Sequence, residues 1–185
     1  MSPMDTAPAK PTLLVFNTQL GWMAVSVAAA VVRDLKFGYR SAAAAAAAVP
    51  GGLRPAKPRG PWQTSLVRRL RDFARGIPVS FHDIAVDPGP QTPFRQRVIR
   101  QCQAIPYGET VTYGKLAAGA GSPSAARAVG SAMAANRVPL LIPCHRVVPA
   151  SGGPGSFSAP GGCRMKRRLL ELEAGPGSGN LAQLG

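Results

Sequence analysis

A proline-broken segment at residues 77–91 divides the chain into two parts with different sequence patterns. Before it, the stretches TLLVF and GWMAVSVAAAVVRDLKFGY are rich in Val and aromatic residues and are broken by Gly, a pattern typical of short strands. After it, apolar residues recur at helical spacing. The sequence therefore predicts an α/β (α+β) fold of two domains, a strand-rich N-terminal domain at residues 12–87 and an α-rich C-terminal domain at residues 92–175. Flexible ends are expected at residues 1–11 and 176–185.

Two helices are predicted before this joint. In TSLVRRLRDFARG the apolar residues recur at helical spacing, with Thr64 or Ser65 as N-cap and Gly76 as the stop. The arginines of this stretch occupy the other side, which favours a solvated face over a DNA contact. The alanine run at residues 42–48 is of low complexity and also favours a helix.

The first helix after the joint has clear boundary signals. In QTPFRQRVIRQCQ, Thr92 is the expected N-cap and Pro93 occupies the first helical position. Phe94, Val98 and Cys102 then share one face of the helix. Cys102 is therefore predicted to be a core thiol that burial makes inert.

Two short helices joined by a glycine turn follow, near residues 113–118 and from Ser122-Pro123 onward, and they suggest a helix-turn-helix. One face of the second helix carries small residues around a single arginine, a pattern that lets a helix backbone approach a duplex closely. Tight packing against a neighbouring helix is an equally good reading of the same pattern. The residues of this face are Arg127, Gly130, Ser131 and Ala134.

The charge is strongly positive and unevenly distributed. Lys and Arg number 22 against 8 Asp and Glu, a net charge of +14 that indicates a polyanionic partner, an anionic membrane surface or a solvated cationic face. Within residues 110–185 the only acids are Glu171 and Glu173. Any carboxylate needed in this region must therefore be one of these two.

The cysteines indicate a reducing, cytoplasmic setting. The three cysteines show no CxxC spacing, so neither a disulfide framework nor a cysteine-rich zinc site is expected. No cysteine precedes Cys102, and only His82 could serve as a histidine ligand there, so we expect no metal. The hydrophobic run at residues 22–32 is too short to span a bilayer, and no membrane partner is expected.

The dipeptide Cys144-His145 lies in VPLLIPCHRVV, an apolar run interrupted by prolines. A cysteine needs a proton acceptor to attack at neutral pH, and His145 is the candidate. Adjacent residues on an extended strand point to opposite faces, so the pair works only if the backbone turns or a water bridges the groups. An acid that orients the histidine would be Glu171 or Glu173. The alternative is that Cys144 is one more small buried hydrophobe.

Four segments together change the balance between these alternatives. IPCHRVV, with IPYGETVTYGKLA upstream, AARAVGSAMAAN between and LLELEAG downstream, closely resembles the O6-alkylguanine-DNA alkyltransferases, also called methylated-DNA-protein-cysteine methyltransferases. The resemblance is strong over residues 92–175 and holds only in outline over residues 12–87. It implies an RNase H-like N-terminal domain, a winged helix-turn-helix C-terminal domain and a glycine-rich wing at about residues 149–162.

The resemblance also implies a function. A protein of this family would reverse DNA damage directly, by flipping a base out of duplex DNA and moving an alkyl group irreversibly from O6-alkylguanine, and from O4-alkylthymine, to Cys144. The partner would be double-stranded DNA carrying the lesion, and each chain would react once, as a monomer and without metal or soluble cofactor. Two rival classes are a damage-binding module of the alkyltransferase-like kind, which lacks the reactive cysteine, and a cysteine hydrolase, which would turn over.

Residue roles follow from the same resemblance. Cys144 would take the alkyl group, His145 would draw off its proton through a water, Glu173 would orient His145, and Asn136 would brace the network. Arg127 would fill the hole left in the duplex, and Tyr113 would crowd the phosphate and donate to guanine N3. The implied base-binding residues are Tyr113, Met133, Val147, Phe157 and Ser158, and the implied DNA contacts are Arg127, Ser124, Ala128 and Ser131.

The sequence departs from the family pattern at three places. Phe157 stands where a tyrosine is common, SAPGG is two residues longer than the usual link after the serine, and Arg137 replaces a frequent proline. The first two departures concern the loop that would hold the base, and they bear on the size of alkyl group that fits.

Overall fold

The computed structural model describes residues 10–175. Of the flexible ends expected at residues 1–11 and 176–185, all but residues 10 and 11 therefore lie outside the described part. The N-terminal part is built on a five-stranded sheet whose three long central strands are antiparallel, with one short parallel strand at each edge. The strands, in the spatial order β4-β1-β2-β3-β5, are β1 (Thr12–Thr18), β2 (Gly21–Ala28), β3 (Val31–Tyr39), β4 (Pro55–Ala56) and β5 (Ala85–Val86).

Helices cover both faces of this sheet because side chains alternate along its strands. Helix α1 (Ala42–Ala47) is the alanine run, and Ala45 packs with Leu13 and Ala24 on one face. Helix α2 (Gly60–Ala74) packs on the other face, where its buried residues join Leu14 and Met23.

The C-terminal part is mainly helical, and its core is continuous with the α2 side of the sheet. Its buried apolar residues, Val98 and Val129 among them, belong to the same cluster as those of β1–β3. The mixed helix and strand fold expected from the sequence is thus confirmed. The elements are α3 (Pro93–Gln103), β6 (Val111–Thr112), α4 (Tyr113–Gly119), α5 (Ala126–Ala134), a 3₁₀ turn (Cys144–Arg146), β7 (Val147–Val148), which pairs in parallel with β6, and α6 (Gly162–Ala174).

The boundary predictions for α3 are confirmed. Thr92 accepts a hydrogen bond from the Arg95 backbone N–H (3.3 Å), and Pro93 is the first helical residue. Gly76 follows the end of α2 with a left-handed φ of 82°, as expected of a helix stop. Cys102 is fully buried, and burial raises the pKa of its thiol well above the ordinary value.

Two predicted helix starts are wrong. Helix α2 begins at Gly60, upstream of Thr64 and Ser65, because Pro61 fits the first turn without a backbone N–H and the Gln63 side chain accepts from the Arg59 N–H (2.6 Å). Helix α5 begins at Ala126. The preceding Ser122-Pro123 forms a separate turn, closed by a 2.9 Å hydrogen bond from the Ala125 N–H to the Ser122 carbonyl.

None of the helices within residues 10–175 combines the length and the apolar character that crossing a membrane would require.

Candidate active site

The backbone turns at Cys144. After α5 the chain runs back through the core and forms the 3₁₀ turn Cys144–Arg146 directly after Pro143. Cys144 and His145 are therefore not neighbours on an extended strand. The backbone turn that the pair requires in order to work together is present. The side chain of Cys144 lies at the wall of a cavity, with 4% of the residue exposed.

Asn136 holds the sulfur in place. Its Nδ2 donates to Cys144 Sγ (3.2 Å) and to the Ile142 carbonyl (2.8 Å), while its Oδ1 accepts from the Val138 N–H (3.0 Å). The two Nδ2 bonds tie the segment after α5 to the turn that carries Cys144, and the Oδ1 bond closes a turn within that segment. The amide thus braces both the backbone and the thiol.

Behind Cys144 lies a buried cluster of His145, Arg146 and Glu173. His145 Nε2 is 2.8 Å from Glu173 Oε1, and Arg146 donates from Nε to Oε2 (2.9 Å) and from Nη2 to Oε1 (2.9 Å). The Gly108 backbone N–H also donates to Glu173 Oε2 (3.1 Å). Burial alone would raise the pKa of Glu173, but the hydrogen bonds and charges of His145 and Arg146 outweigh it and hold that pKa at about 2. Glu171 is exposed, so Glu173 is the acid that reaches the histidine.

His145 is a neutral base with one free nitrogen. Burial lowers the pKa of its imidazole, and Glu173 opposes this effect only in part. An ionised carboxylate only accepts hydrogen bonds, so Nε2 carries the proton and Nδ1 is the acceptor. Nδ1 is buried without a hydrogen-bond partner among the described residues. Burial also raises the pKa of the Cys144 thiol, against the lowering effects of Asn136 and Lys166, so the sulfur keeps its proton at neutral pH.

The cavity in front of Cys144 has a volume of about 200 Å³. Four of the five base-binding residues that the resemblance implied line it, and Val147 is the one that does not. Four further residues of this wall, Ser156, Lys166, Gly130 and Ala134, were not predicted from the sequence as cavity residues. The lining consists of Tyr113, Gly130, Met133, Ala134, Cys144, Ser156, Phe157, Ser158 and Lys166.

Lys166 is a buried lysine that connects the cavity to the turn. Its Nζ donates to the Val147 carbonyl (2.6 Å) and to Tyr113 Oη (3.4 Å), and burial lowers its pKa to about 8. The Val147 carbonyl therefore already has one partner. A sequence signal existed, because Lys166 shares a helical face with Leu169 and Glu173 at spacings of three and seven.

The glycine-rich segment expected as a wing is a loop that closes one side of the cavity. Phe157 packs against Phe37 of β3, with ring centroids 6.2 Å apart. Ser158 beside it is exposed at the cavity. The N-terminal sheet thus supports the loop at the position where the family more often has a tyrosine.

The implied DNA contacts lie outside the cavity, on α5 and the turn before it. Arg127, Ala128, Ser131 and Ser124 are all exposed, whereas Val129 is buried on the opposite side of the helix. This helix face meets the cavity at Gly130 and Ala134, which line it. The exposed face and the cavity are therefore continuous.

Arg137 anchors the segment beside Cys144 to the N-terminal sheet. Its Nε and Nη2 donate to the two carboxylate oxygens of Asp34 (3.0 and 2.7 Å), and its carbonyl accepts from the Leu35 N–H (2.9 Å). Asp34 is buried in β3, with 4% exposed. Strand β3 of the N-terminal sheet thereby holds Arg137, the residue next to Asn136, in place.

The remaining cysteines do not face the cavity. Cys102 is in the core, and Cys163 is exposed at the start of α6. Within residues 10–175 there is no group of three or more His, Cys, Asp or Glu side chains that could hold a metal ion.

Comparisons with known proteins show which family the chain is similar to. Residues 93–175 match the family described as the 6-O-methylguanine DNA methyltransferase, DNA binding domain. The methylated-DNA--protein-cysteine methyltransferase of Mycobacterium tuberculosis is 50% identical over 82 residues, which are 44% of this chain and 48% of that protein. The alignment thus spans about half the length of this curated relative.

Two further comparisons cover a larger share of the similar protein. The methylated-DNA--protein-cysteine methyltransferase of Methanopyrus kandleri is 45% identical over 109 residues, 59% of this chain and 79% of that protein. The crystal structure of Mycobacterium tuberculosis OGT in complex with DNA has a TM-score of 0.73 and 30% identity, over 94% of this chain and 99% of that one. The chain therefore belongs to the methylated-DNA--protein-cysteine methyltransferase family.

Proposed function

We propose that this chain repairs DNA by moving an alkyl group, methyl foremost, from O6 of guanine to Cys144 Sγ, and that O4-alkylthymine is a second substrate. The observation that carries the proposal is one cysteine sulfur at the wall of a 200 Å³ cavity, with a neutral imidazole and a buried carboxylate behind it. Relatives named for methyl transfer from DNA to a cysteine, one of them solved with DNA, support the choice of substrate.

The chemistry needs groups of this chain and one water molecule. The Cys144 proton passes, through one water, to His145 Nδ1, and Glu173 stabilises the imidazolium that forms. The thiolate forms a bond to the alkyl carbon while the carbon–O6 bond breaks, and the guanine leaves with the electron pair as an anion. Tyr113, with the Lys166 ammonium beside its hydroxyl, is positioned to donate a proton to that anion. No redox change and no cofactor enter this balance.

The product is a thioether, which offers no carbon that water hydrolyses easily. No second cysteine lines the cavity to take the group over. Each chain is therefore expected to react once. The free cysteines fit a reducing, cytoplasmic setting, and one chain, as a monomer, supplies every group used here.

A base inside a duplex must be flipped out to reach this cavity. The exposed face of α5 meets the cavity, and Gly130 and Ala134 leave room for the DNA backbone at this point. In the proposal Arg127 enters the duplex and replaces the flipped base, while Ser124, Ala128 and Ser131 contact the DNA backbone around it.

Titration with damaged DNA tests the proposal. With a duplex carrying O6-methylguanine in excess, we expect the repaired guanine, measured by chromatography of digested DNA, to reach one per chain and stop. Cys144→Ser should repair none while it still binds the duplex, and Cys163→Ser, the matched control at an exposed cysteine, should repair one. Repair beyond one per chain would identify a hydrolase, and binding without repair by the native chain would identify a damage-binding module.

A further inference from the structure

A group of exposed arginines lies on α2 and α6, away from the cavity. We call it the α2–α6 arginine surface: Arg68 and Arg71 on α2, Arg75 directly after α2, and Arg164, Arg167 and Arg168 on α6. By contrast, Lys115 and Arg127 are the only cations in α4 and α5. Most of the cationic charge of the helices thus lies outside the helix-turn-helix.

Arg68, Arg71 and Arg75 form one stripe along α2 and its C-cap. Positions 68, 71 and 75 recur at helical spacing on the side opposite to the buried Leu66, Leu70 and Phe73. Arg68 to Arg75 spans roughly 10 Å along the helix axis, close to the width of a DNA groove. The inner side of the same helix contacts the buried cluster behind Cys144, because the Phe73 ring packs against His145 with ring centroids 6.1 Å apart. The stripe therefore points away from the active site.

Helix α6 has the same arrangement. Lys166, Leu170 and Glu173 face inward, toward the cavity and the buried cluster. Arg164 and Arg168 lie on the opposite side of the helix, with Arg167 at its flank, and all three are exposed. These three side chains therefore do not face the cavity, which Lys166 lines from the inner side of the helix.

The two sets of arginines form one surface around the β1–β2 turn. Arg71 lies over the Phe16 ring (5.5 Å to the centroid), and Arg168 donates to the Gln19 carbonyl (2.6 Å). The ends of the two helices also meet, since the Tyr107 hydroxyl donates toward the carbonyls of both Gly76 (3.2 Å) and Leu172 (3.4 Å).

Few anions neutralise this surface. Asp72 pairs with Arg75 (3.3 Å), and Glu171 is the other acid on these faces, without an ion pair to any described residue. Arg68, Arg164 and Arg167 likewise have no ion pair within residues 10–175. Planar guanidinium groups held free in this way suit phosphate groups, which they can bind through two donors.

We propose that the α2–α6 arginine surface binds a second segment of nucleic acid duplex while the first occupies α5. A membrane surface is the other polyanion, but a helix that lies on lipid exposes apolar residues beside its cations. The apolar residues of α2 and α6 face inward, and Ile77, just beyond α2, is the one large hydrophobic residue exposed within residues 10–175. The proposal goes beyond alkyl transfer and does not require Cys144 to react.

Energy transfer between two short undamaged duplexes, one with a donor dye and one with an acceptor dye, tests the proposal. With the native chain at one copy per two duplexes, we expect energy transfer, because each chain holds both. The variant carries Arg68→Gln, Arg75→Gln, Arg164→Gln and Arg167→Gln, none of which contacts the cavity. The matched control, equal in charge change, carries Arg40→Gln, Arg54→Gln, Lys57→Gln and Arg100→Gln at other exposed positions.

The variant should lose energy transfer, and the slope of log affinity for the second duplex against log salt should fall by about 3 to 4 in magnitude if all four side chains contact phosphates. The control should keep both. Methylation of Cys144 and the melting temperature should stay native in the variant, which separates this proposal from alkyl transfer and from misfolding. The proposal is overturned if native protein gives no energy transfer, if the variant equals the native chain, or if the surface binds phosphatidylserine vesicles but no second duplex.

Discussion

In the proposed reaction, the reactivity of Cys144 depends on three neighbouring side chains rather than on exposure. Burial raises the pKa of its thiol, while the Asn136 amide and the Lys166 charge lower it. The net shift is upward, so the thiolate must be produced during the reaction. Within residues 10–175, His145 offers this proton a buried acceptor nitrogen, Nδ1, that has no hydrogen-bond partner.

Replacing that acceptor should slow the reaction without preventing DNA binding. We expect His145→Gln to lower the single-turnover rate of Cys144 methylation about 10²- to 10⁴-fold at neutral pH, because general-base assistance is lost. The loss should shrink as pH rises and the thiol ionises without help. Quenched-flow measurement across the pH range checks this, and a constant rate deficit at every pH would contradict the assigned role.

The buried carboxylate makes stability depend on pH. Glu173 has a pKa of about 2 in the fold against an ordinary value of 4.5, so its contribution is present above about pH 4.5 and is lost as pH falls toward 2. The loss should be roughly 3 kcal/mol in the free energy of unfolding. Urea unfolding at several acidic pH values measures it. Glu173→Gln should flatten this part of the profile, and a variant as pH-dependent as the native chain would contradict the assignment.

Among the secondary-structure elements, α5 has an exposed face and also contributes residues to the wall of the cavity in front of Cys144. A Cβ built on Gly130 meets no atom within 4 Å, so Gly130→Ala fits the fold. Alanine also costs less backbone entropy, and we expect the free energy of unfolding to rise by about 0.5–1 kcal/mol. The added methyl group stands where the duplex would approach, so the methylation rate should fall several-fold. Thermal unfolding and rate measurements together check this, and unchanged repair by the more stable variant would remove α5 from the DNA interface.

The link between β3 and the Asn136 segment is the second element-scale feature. Asp34→Asn removes the buried charge that Arg137 contacts twice, and we expect a loss of about 2 kcal/mol in the free energy of unfolding and slower methylation. Arg33→Gln is the matched control, because its pair with Asp87 is exposed and longer (3.7 Å). If both variants lose the same stability, or if Asp34→Asn methylates at the native rate, the anchoring role is wrong.

For the whole molecule, sequence patterns predicted the features that depend on interactions between residues close together in the chain. The Thr92 cap, the Pro93 start and the buried Cys102 depend on residues a few positions apart, and the structure confirms them. Spacing did not decide whether Glu171 or Glu173 is the acid that orients His145. Within the fold, packing distinguishes them, because Glu173 is buried beside the histidine and Glu171 is exposed. The resemblance, rather than any spacing, selected Glu173.

The missed features are those that the fold brings together. Asp34 and Arg137 are 103 positions apart, so no local pattern links them. Lys166 was overlooked because lysines are mostly exposed, although its helical face is the buried one. The predicted caps Thr64 and Ser65 lie inside α2, because Pro61 fits the first turn of a helix and is the stronger start signal.

Mass spectrometry of the protein after exposure to DNA containing O6-methylguanine shows whether the methyl group moves to Cys144 and stays there. We expect every active chain to gain one methyl group, the peptide containing Cys144 to carry it, and the modification to survive long incubation with fresh undamaged DNA. A methyl group found on Cys102 or Cys163, or repaired DNA beside protein of unchanged mass, would contradict this expectation.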